Sequence, residues 1–254
     1  MNKLRVIGIL WLRQLKRYFR SRARMVGSLG QPLLFLVALG FGFGPIYQKA
    51  GGGNYLEFLA PGIIGMGILF TAVFSGIEVI WDKQFGFLKE TLVAPVSRIE
   101  IMIGRTLGGA TVATMQGLIV LILSTIVGFR PMTDWFMVPV ALLVMLMIAT
   151  VFTALGTAIA SVLDDMQGFQ LIMNFLVMPL FFLSGALFPL AGLPKAIDVV
   201  ARLDPLSYGI DALRGALLGP GASHFGLPLD LTVLAGVMVV LLGIGSYLFS
   251  KIQI

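Results

Sequence analysis

Six stretches of this sequence run for 20 residues or more without a charge. Between Arg24 and Lys49 lie 24 uncharged residues, and between Glu57 and Glu78 lie 20. Arg105 to Arg130 encloses 24, Asp134 to Asp164 and Asp165 to Lys195 enclose 29 each, and Asp230 to Lys251 encloses 20. All six are rich in Leu, Ile, Val, Met and Phe. A helix needs about 20 mostly apolar residues to cross a bilayer. In hydrocarbon each backbone polar group must be satisfied internally, which leaves helices or a closed barrel. The alternating strands of about ten residues that a barrel needs are absent. The expectation is an all-α membrane protein with six transmembrane helices near residues 25–48, 58–78, 106–129, 138–162, 166–189 and 231–250. Composition agrees: 12% of the 254 residues are charged and 58% are hydrophobic. An ordinary soluble domain carries about 25% charged residues. So few charges cannot cover a water-facing core, and disorder needs the opposite bias. With no soluble segment and no clear repeat, residues 1–254 read as one membrane domain.

The first 24 residues hold eight basic residues and no acid. A cleaved leader fits poorly, because the apolar stretch Val6–Leu12 runs into Arg13 and Lys16, not into small residues. An amphipathic helix fits better. Leu4, Ile7, Trp11, Leu15 and Tyr18 recur at steps of three and four, and Arg13, Lys16, Arg17 and Arg20 mark the opposite face. Such a helix lies in the membrane interface with its basic face among anionic headgroups. Plain topology is the simpler reading: the charges hold the N-terminus inside. Nucleic acid is not an expected partner, because the stretch leads straight into a span. With the N-terminus inside, six spans return the C-terminus inside. The inside segments then carry 13 of the 18 basic residues, as the positive-inside rule requires. The expected location is a cell membrane, inner or plasma, with both termini cytoplasmic.

Residues 190–230 are moderately apolar but broken by Pro194, Asp204-Pro205 and Gly219-Pro220. Asp204-Pro205 reads as a helix start, with Asp as N-cap and Pro in the first turn. That helix, ended by Gly219-Pro220, is too short to span. A second short helix fits Pro194–Leu203. The pair reads as an extracytoplasmic re-entrant hairpin before the last span, or as a helical loop on the surface. Asp211 and Arg214, three apart, are placed to pair.

Groups for catalysis or metal binding are missing. There is no Cys and only one His, His224, so thiolate sites and two-histidine zinc sites cannot form. No HExxH, GxSxG or phosphate-loop pattern occurs. Asp164-Asp165 reads as a solvated turn. No cofactor is expected on this chain.

The loop from Trp81 to Arg98 is short, mixed in charge and rich in aromatics. Phe85, Leu88 and Leu92 share one helical face, which suits either a soluble partner or the protein's own membrane face. Within the spans, Thr71, Ser75 and Glu78 share a face of the second helix. Gln167, Gln170 and Asn174 share one on the fifth. Such stripes bond neighbouring helices or line a path. Gly104/Gly108 and Gly40/Gly44 match the GxxxG spacing of close helix contacts. Pro179 and Gly185 mark a possible break in the fifth span.

Four stretches together resemble the type-2 ABC transporter permeases, especially the drug-resistance and polysaccharide or nodulation-factor exporters. They are the basic N-terminal helix, the loop from Glu78 through Gly86 and Leu88 to Pro95-Val96-Ser97-Arg98, Pro179–Gly185 with Phe188-Pro189, and Asp204–Tyr208 with Asp211, Leu213 and Arg214. The resemblance implies that the chain works beside a second permease copy, identical or related. The pair would dock on two copies of a separate cytoplasmic ABC ATPase, which binds the ATP and Mg. It implies a coupling helix over residues 83–94, with Phe85, Gly86, Leu88, Glu90 and Leu92. It implies that the N-terminal interface helix, which sits among membrane lipids with Arg13, Lys16, Arg17 and Arg20, also contacts the ATPase, and it makes Asp204, Pro205, Tyr208, Asp211 and Arg214 part of a re-entrant outer gate.

The expected function is therefore ATP-driven export of an amphipathic drug, lipid or glycoconjugate, with Thr71, Ser75, Gln170 and Asn174 along the substrate path. The chain itself is expected not to be an enzyme. The alternative, a secondary transporter or channel driven by an ion gradient, wants ionisable residues near the bilayer midplane. The middles of all six runs lack them.

Overall fold

A computed structural model describes residues 3–51, 53–88, 96–132, 134–192 and 194–252. Among these residues there are ten α-helices and no strand. In chain order they are α1 (Lys3–Arg20), α2 (Arg22–Lys49), α3 (Tyr55–Phe74), α4 (Ile77–Gln84), α5 (Arg98–Val127), α6 (Val138–Val162), α7 (Met166–Leu183), α8 (Lys195–Leu203), α9 (Pro205–Leu218) and α10 (Leu227–Ser250). Six segments are long and apolar enough to cross a membrane: Met25–Lys49, Tyr55–Gln84, Arg98–Val127, Trp135–Val162, Met166–Leu183 and Leu227–Ser250. The chain is a multi-pass membrane protein.

Local chemistry sets the helix ends. The Asn54 side chain accepts from Leu56 N at 3.1 Å and starts α3. Ser97 and Glu100 form a reciprocal capping box at the head of α5. Asp165 accepts from Gln167 N and Gly168 N and starts α7. Asp204 accepts from Leu206 N at 2.8 Å, with Pro205 in the first turn of α9. Each cap satisfies backbone donors that the first helical turn leaves unpaired.

The central helix is α3, packed against α2, α5, α6, α7 and α9. Its Ile63, Ile64, Ile68 and Leu69 are fully buried, with Phe152 of α6 and Ile210 of α9. The second span breaks at Ser75-Gly76 into α3 and α4, where bonds of the i to i+3 type tighten the chain. The cause is close packing on α6. A Cβ on Gly76 would sit 2.4 Å from the Gly156 carbonyl oxygen, and one on Gly156 would sit 2.3 Å from that of Val73. The two residues expected to break the fifth span behave differently from each other. Pro179 is accommodated inside α7, and the chain turns only after Leu183, at Gly185, whose φ is +74°.

The N-terminal helix packs lengthwise along α5. Gly104 faces Ile7 and Leu10, and Gly108 faces Trp11 and Gln14. A Cβ on Gly108 would lie 2.6 Å from Gln14. The seam continues with Trp11 Nε1 donating to Thr111 Oγ1 at 3.0 Å and Tyr18 OH donating to Gln116 Oε1 at 2.9 Å. The small-residue pair at Gly104/Gly108 thus serves the contact with α1. Of the other pair, Gly40 abuts Leu56, while Gly44 has open space around it.

Candidate functional site

Beyond the break, α4 carries two buried carboxylates. Asp82 is 2% exposed and Glu78 is 5% exposed. Arg13 of α1 lies 3.0 Å from Asp82, and Arg17 lies 3.1 Å from Glu78 and 3.6 Å from Asp82. From α5, the buried guanidinium of Arg105 bonds the second Asp82 oxygen. Two acids and three bases tie α4 to both α1 and α5. Lys83 adds contacts at 2.8 and 3.0 Å to the carbonyls of Ser161 and Leu163, and pairs with Asp164 at 3.0 Å. The short α4 is thereby clamped from three sides.

This clamp changes the meaning of the basic face. The sequence put Arg13, Lys16, Arg17 and Arg20 together on one face among anionic headgroups. Lys16 and Arg20 are exposed, whereas Arg13 and Arg17 turn toward α4. Periodicity gave no sign of this, because it cannot name the neighbour a face meets.

Past α4, Phe85 is 69% exposed and Phe87 is 50% exposed. Gly86 makes the turn between them with φ of +79°. The sequence reading set Leu88 on one face with Phe85, to meet either a soluble partner or the protein's own membrane face. Leu88 is instead 2% exposed and belongs to the apolar core. One turn of helix periodicity placed Phe85 and Leu88 together, and the glycine turn separates them. Glu90 and Leu92 lie outside the described residues.

The four path residues fall in two places. Thr71 and Ser75 line a cleft of about 350 Å³ bordered by α1 to α5. Gln170 and Asn174 lie on the exposed side of α7, beside Leu171 at 71% exposure and Phe175 at 84%. They do not line that cavity.

At the opposite end of the bundle, α9 lies buried against α3 and α6. Asp211 and Arg214 do not form an ion pair. The Asp211 carboxylate accepts from Ser223 Oγ, His224 N and Phe225 N at 2.7 to 2.9 Å, and so folds the chain after α9. Arg214 donates to Gly185 O at 3.1 Å and Phe58 O at 3.4 Å, with its guanidinium 4.1 Å from the centre of the Phe58 ring. Each charge has found backbone partners that face it directly. Burial pushes the Arg214 guanidinium down to about 10, partly offset by the Asp211 charge. Burial likewise pushes the Asp204 carboxyl up to about 7, against the lowering effect of its cap bond to Leu206. Tyr208 OH donates to Arg202 O, and its ring stacks on Phe225.

Residues missed at the sequence level are Asp82, Arg105 and Gln116. Asp82 and Arg105 read as loop charges, Asp82 because it falls in the Trp81–Arg98 stretch and Arg105 because it bounds an uncharged run. Gln116 had a visible signal: it is the one amide in the third run, and an amide within a span wants a helix neighbour.

Residues 5–218 match the family model described as ABC-2 type transporter. The chain belongs to this family. It is 30% identical over 199 residues to nodulation protein J of Rhizobium leguminosarum bv. trifolii, covering 78% of this chain and 75% of the relative. With nodulation protein J of the biovar viciae it shares 28% over 219 residues, covering 84% and 83%. With the protein of Porphyra purpurea named "Putative transport permease ycf38" it shares 31% over 202 residues, covering 77% and 68%. As an ABC-2 transporter membrane subunit, the chain belongs with permeases rather than enzymes, and membership implies a partner ATP-binding subunit. The six spans and the clamped α4 are therefore parts of a permease.

Proposed function

We propose that this permease works as a pair, with a second copy or a related chain, on two copies of a separate cytoplasmic ABC ATPase. ATP and Mg belong to that partner, and the cargo is an amphipathic drug, lipid or glycoconjugate moved out through a cell membrane. Both termini are cytoplasmic, and residues 1–254 act as one permease domain. The observation that carries this reading is the clamped α4. A short helix hinged at Gly76 and ion-paired to α1 and α5 leads directly into exposed Phe85 and Phe87. Closure of the ATPase pair pushes on the segment 83–94, which includes Gly86, Leu88, Glu90 and Leu92. That push biases the spans between two populations through differential contacts.

The other roles follow from exposure. On α1, Lys16 and Arg20 face headgroups beside exposed Leu12 and Phe19, while Arg13 and Arg17 transmit to α4. Helices α8 and α9, of 9 and 14 residues, are too short to cross and form the re-entrant outer hairpin. There Asp204 and Pro205 start the gate helix, Tyr208 and Asp211 fix its following loop, and Arg214 ties it to α3. Thr71 and Ser75 line the path within one chain, and Gln170 and Asn174 line it between copies.

The test is co-expression with an ABC ATPase, copurification and transport in liposomes. The expected result is a complex with two copies of each subunit, cargo movement that requires ATP, and loss of that movement in Phe85→Ala. Uphill transport by the purified chain alone, without nucleotide, overturns the proposal.

A further inference from the structure

The cavity beneath the break has two unlike walls. Thr71, Ser75 and Glu78 recur at i, i+4 and i+7 and form a polar stripe. Phe70, Phe74 and Trp81 form the stripe beside it. The rings of Phe70 and Phe74 are stacked, 6.3 Å apart and 17° from parallel. Facing them are Gln14 of α1 and Gln31 of α2.

The hydrogen-bond inventory of this lining is uneven. Tyr18 and Ser28 both donate to Gln116 Oε1, and Ser75 Oγ donates to Ala72 O. The side chains of Gln14, Gln31 and Thr71 make no hydrogen bond among the described residues. Two amides and a hydroxyl thus stand ready, each able to donate and accept. Gln31 is exposed on α2, within the Met25–Lys49 span. A polar group so placed wants a partner.

Charge is nearly cancelled. Among the described residues Glu78 is the one charged residue in the lining, and Arg17 lies 3.1 Å from its carboxylate. Among the described residues no lysine or arginine lines the cavity. A charged ligand entering here would be desolvated with no counter-ion among the described residues left to meet it. A neutral ligand rich in hydroxyls or amides would satisfy the open groups and lay its apolar body on the rings.

We infer that the cleft between α1, α2 and the α3–α4 break binds an uncharged amphiphile. Thr71, Gln14 and Gln31 hold its polar group, and Phe70, Phe74 and Trp81 hold its apolar body. This deepens the assignment of Thr71 and Ser75 to the path. Binding to the cleft needs no ATPase, so it can stand or fall apart from the ATP-driven mechanism.

The test uses the full chain in zwitterionic lipid nanodiscs, with Trp81 left as the sole tryptophan by Trp11→Phe and Trp135→Phe. Three probes share one bromine-labelled alkyl chain and carry a glucoside, a sulfate or a trimethylammonium head. A second protein retaining only Trp135 reports general partitioning. The expected result is saturable quenching of Trp81 by the glucoside at a concentration at least tenfold below that of either charged probe. Trp135 shows only a linear response. Replacing Thr71→Val with Gln31→Leu raises the half-saturating concentration about tenfold. Val112→Phe, which fills the cavity wall, does the same with the polar groups intact. If Trp11→Phe impairs folding, the difference between the unmodified chain and Trp81→Phe gives the same reading. Equal, linear quenching at Trp81 and Trp135 overturns the site. Equal or tighter binding of a charged probe, including a trimethylammonium drawn to the rings, overturns the ligand class.

Discussion

Replacing Asp82 by Asn tests the clamp with little change of shape. The amide keeps the volume and loses the charge. Its three basic partners are not equally affected. The side chains of Arg13 and Arg17 are 37% and 31% exposed and can rehydrate, whereas that of Arg105 is 4% exposed. The cost therefore concentrates on Arg105. Stranding a buried charge costs about 3–5 kcal/mol. At about 2–4 °C per kcal/mol for a chain of this size, Asp82→Asn lowers Tm by about 10 °C. Adding Arg105→Met removes the stranded charge and restores most of that loss, because buried ion pairs and apolar replacements are often close in stability. The assay is thermal unfolding in nanodiscs, read by tryptophan emission, on both single variants and the double. Strict additivity of the two losses would show that Asp82 and Arg105 do not act as a pair, as would an Asp82→Asn variant as stable as the parent. The double variant also separates stability from function: it folds, yet ATP-dependent transport stays impaired if the charges transmit motion from α4.

Three further outcomes follow from particular contacts. Gly108→Ala pushes a methyl group to 2.6 Å from Gln14 and destabilises by about 1–3 kcal/mol. Gly44→Ala, in open space, stabilises by up to about 1 kcal/mol; equal effects in a melting assay would remove α1 from the α5 seam. Leu88→Asp buries a carboxylate in the core and lowers Tm, while Phe85→Ala leaves Tm unchanged and reduces ATP-dependent transport; the opposite pattern would return Leu88 to the outer surface. Asp204 makes stability depend on pH. Its folded carboxyl, near 7 against 3.8 when unfolded, binds its proton more tightly in the native state. Its contribution is present in acid and fades as pH rises from about 4 to 7, at about 1.4 kcal/mol per pH unit. Asp204→Asn keeps the cap oxygen and removes that slope, so its Tm rises relative to the parent between pH 4.5 and 8. A constant difference over that range would refute the shift.

Legibility in this sequence follows the range of each interaction. The six spans are readable because hydrocarbon imposes one rule on every residue in a run. The start of α9 is readable because Asp204 caps a donor two residues away. Arg13 and Arg17 were not, since a helical period defines a face without naming what packs on it. The partners of Asp211 lie 12 to 14 residues along the chain, beyond the reach of an i to i+3 argument that favoured Arg214. Leu88 was misplaced by a helical period carried through Gly86, whose positive φ breaks it. Thr71 and Gln170 looked alike as polar residues within spans, and only packing sends one into a cavity and the other to the outside of α7.

That separation bears on where two copies meet. Gln167, Gln170 and Asn174 form a polar stripe on a face of α7 that this chain leaves uncovered. Amides facing lipid are unfavourable, so such a stripe belongs against protein or beside water. A second copy supplies both if α7 borders the pair. The sequence contains no cysteine, so one introduced thiol reports one position. Asn174→Cys in membranes is expected to form a disulfide-linked dimer under mild oxidation. Thr71→Cys, within its own chain's cavity, is expected to remain monomeric on the same gel while still reacting with a small neutral maleimide. Cross-linking through Thr71→Cys with none through Asn174→Cys would reverse the assignment and place the α1–α3 face, not α7, at the contact between copies.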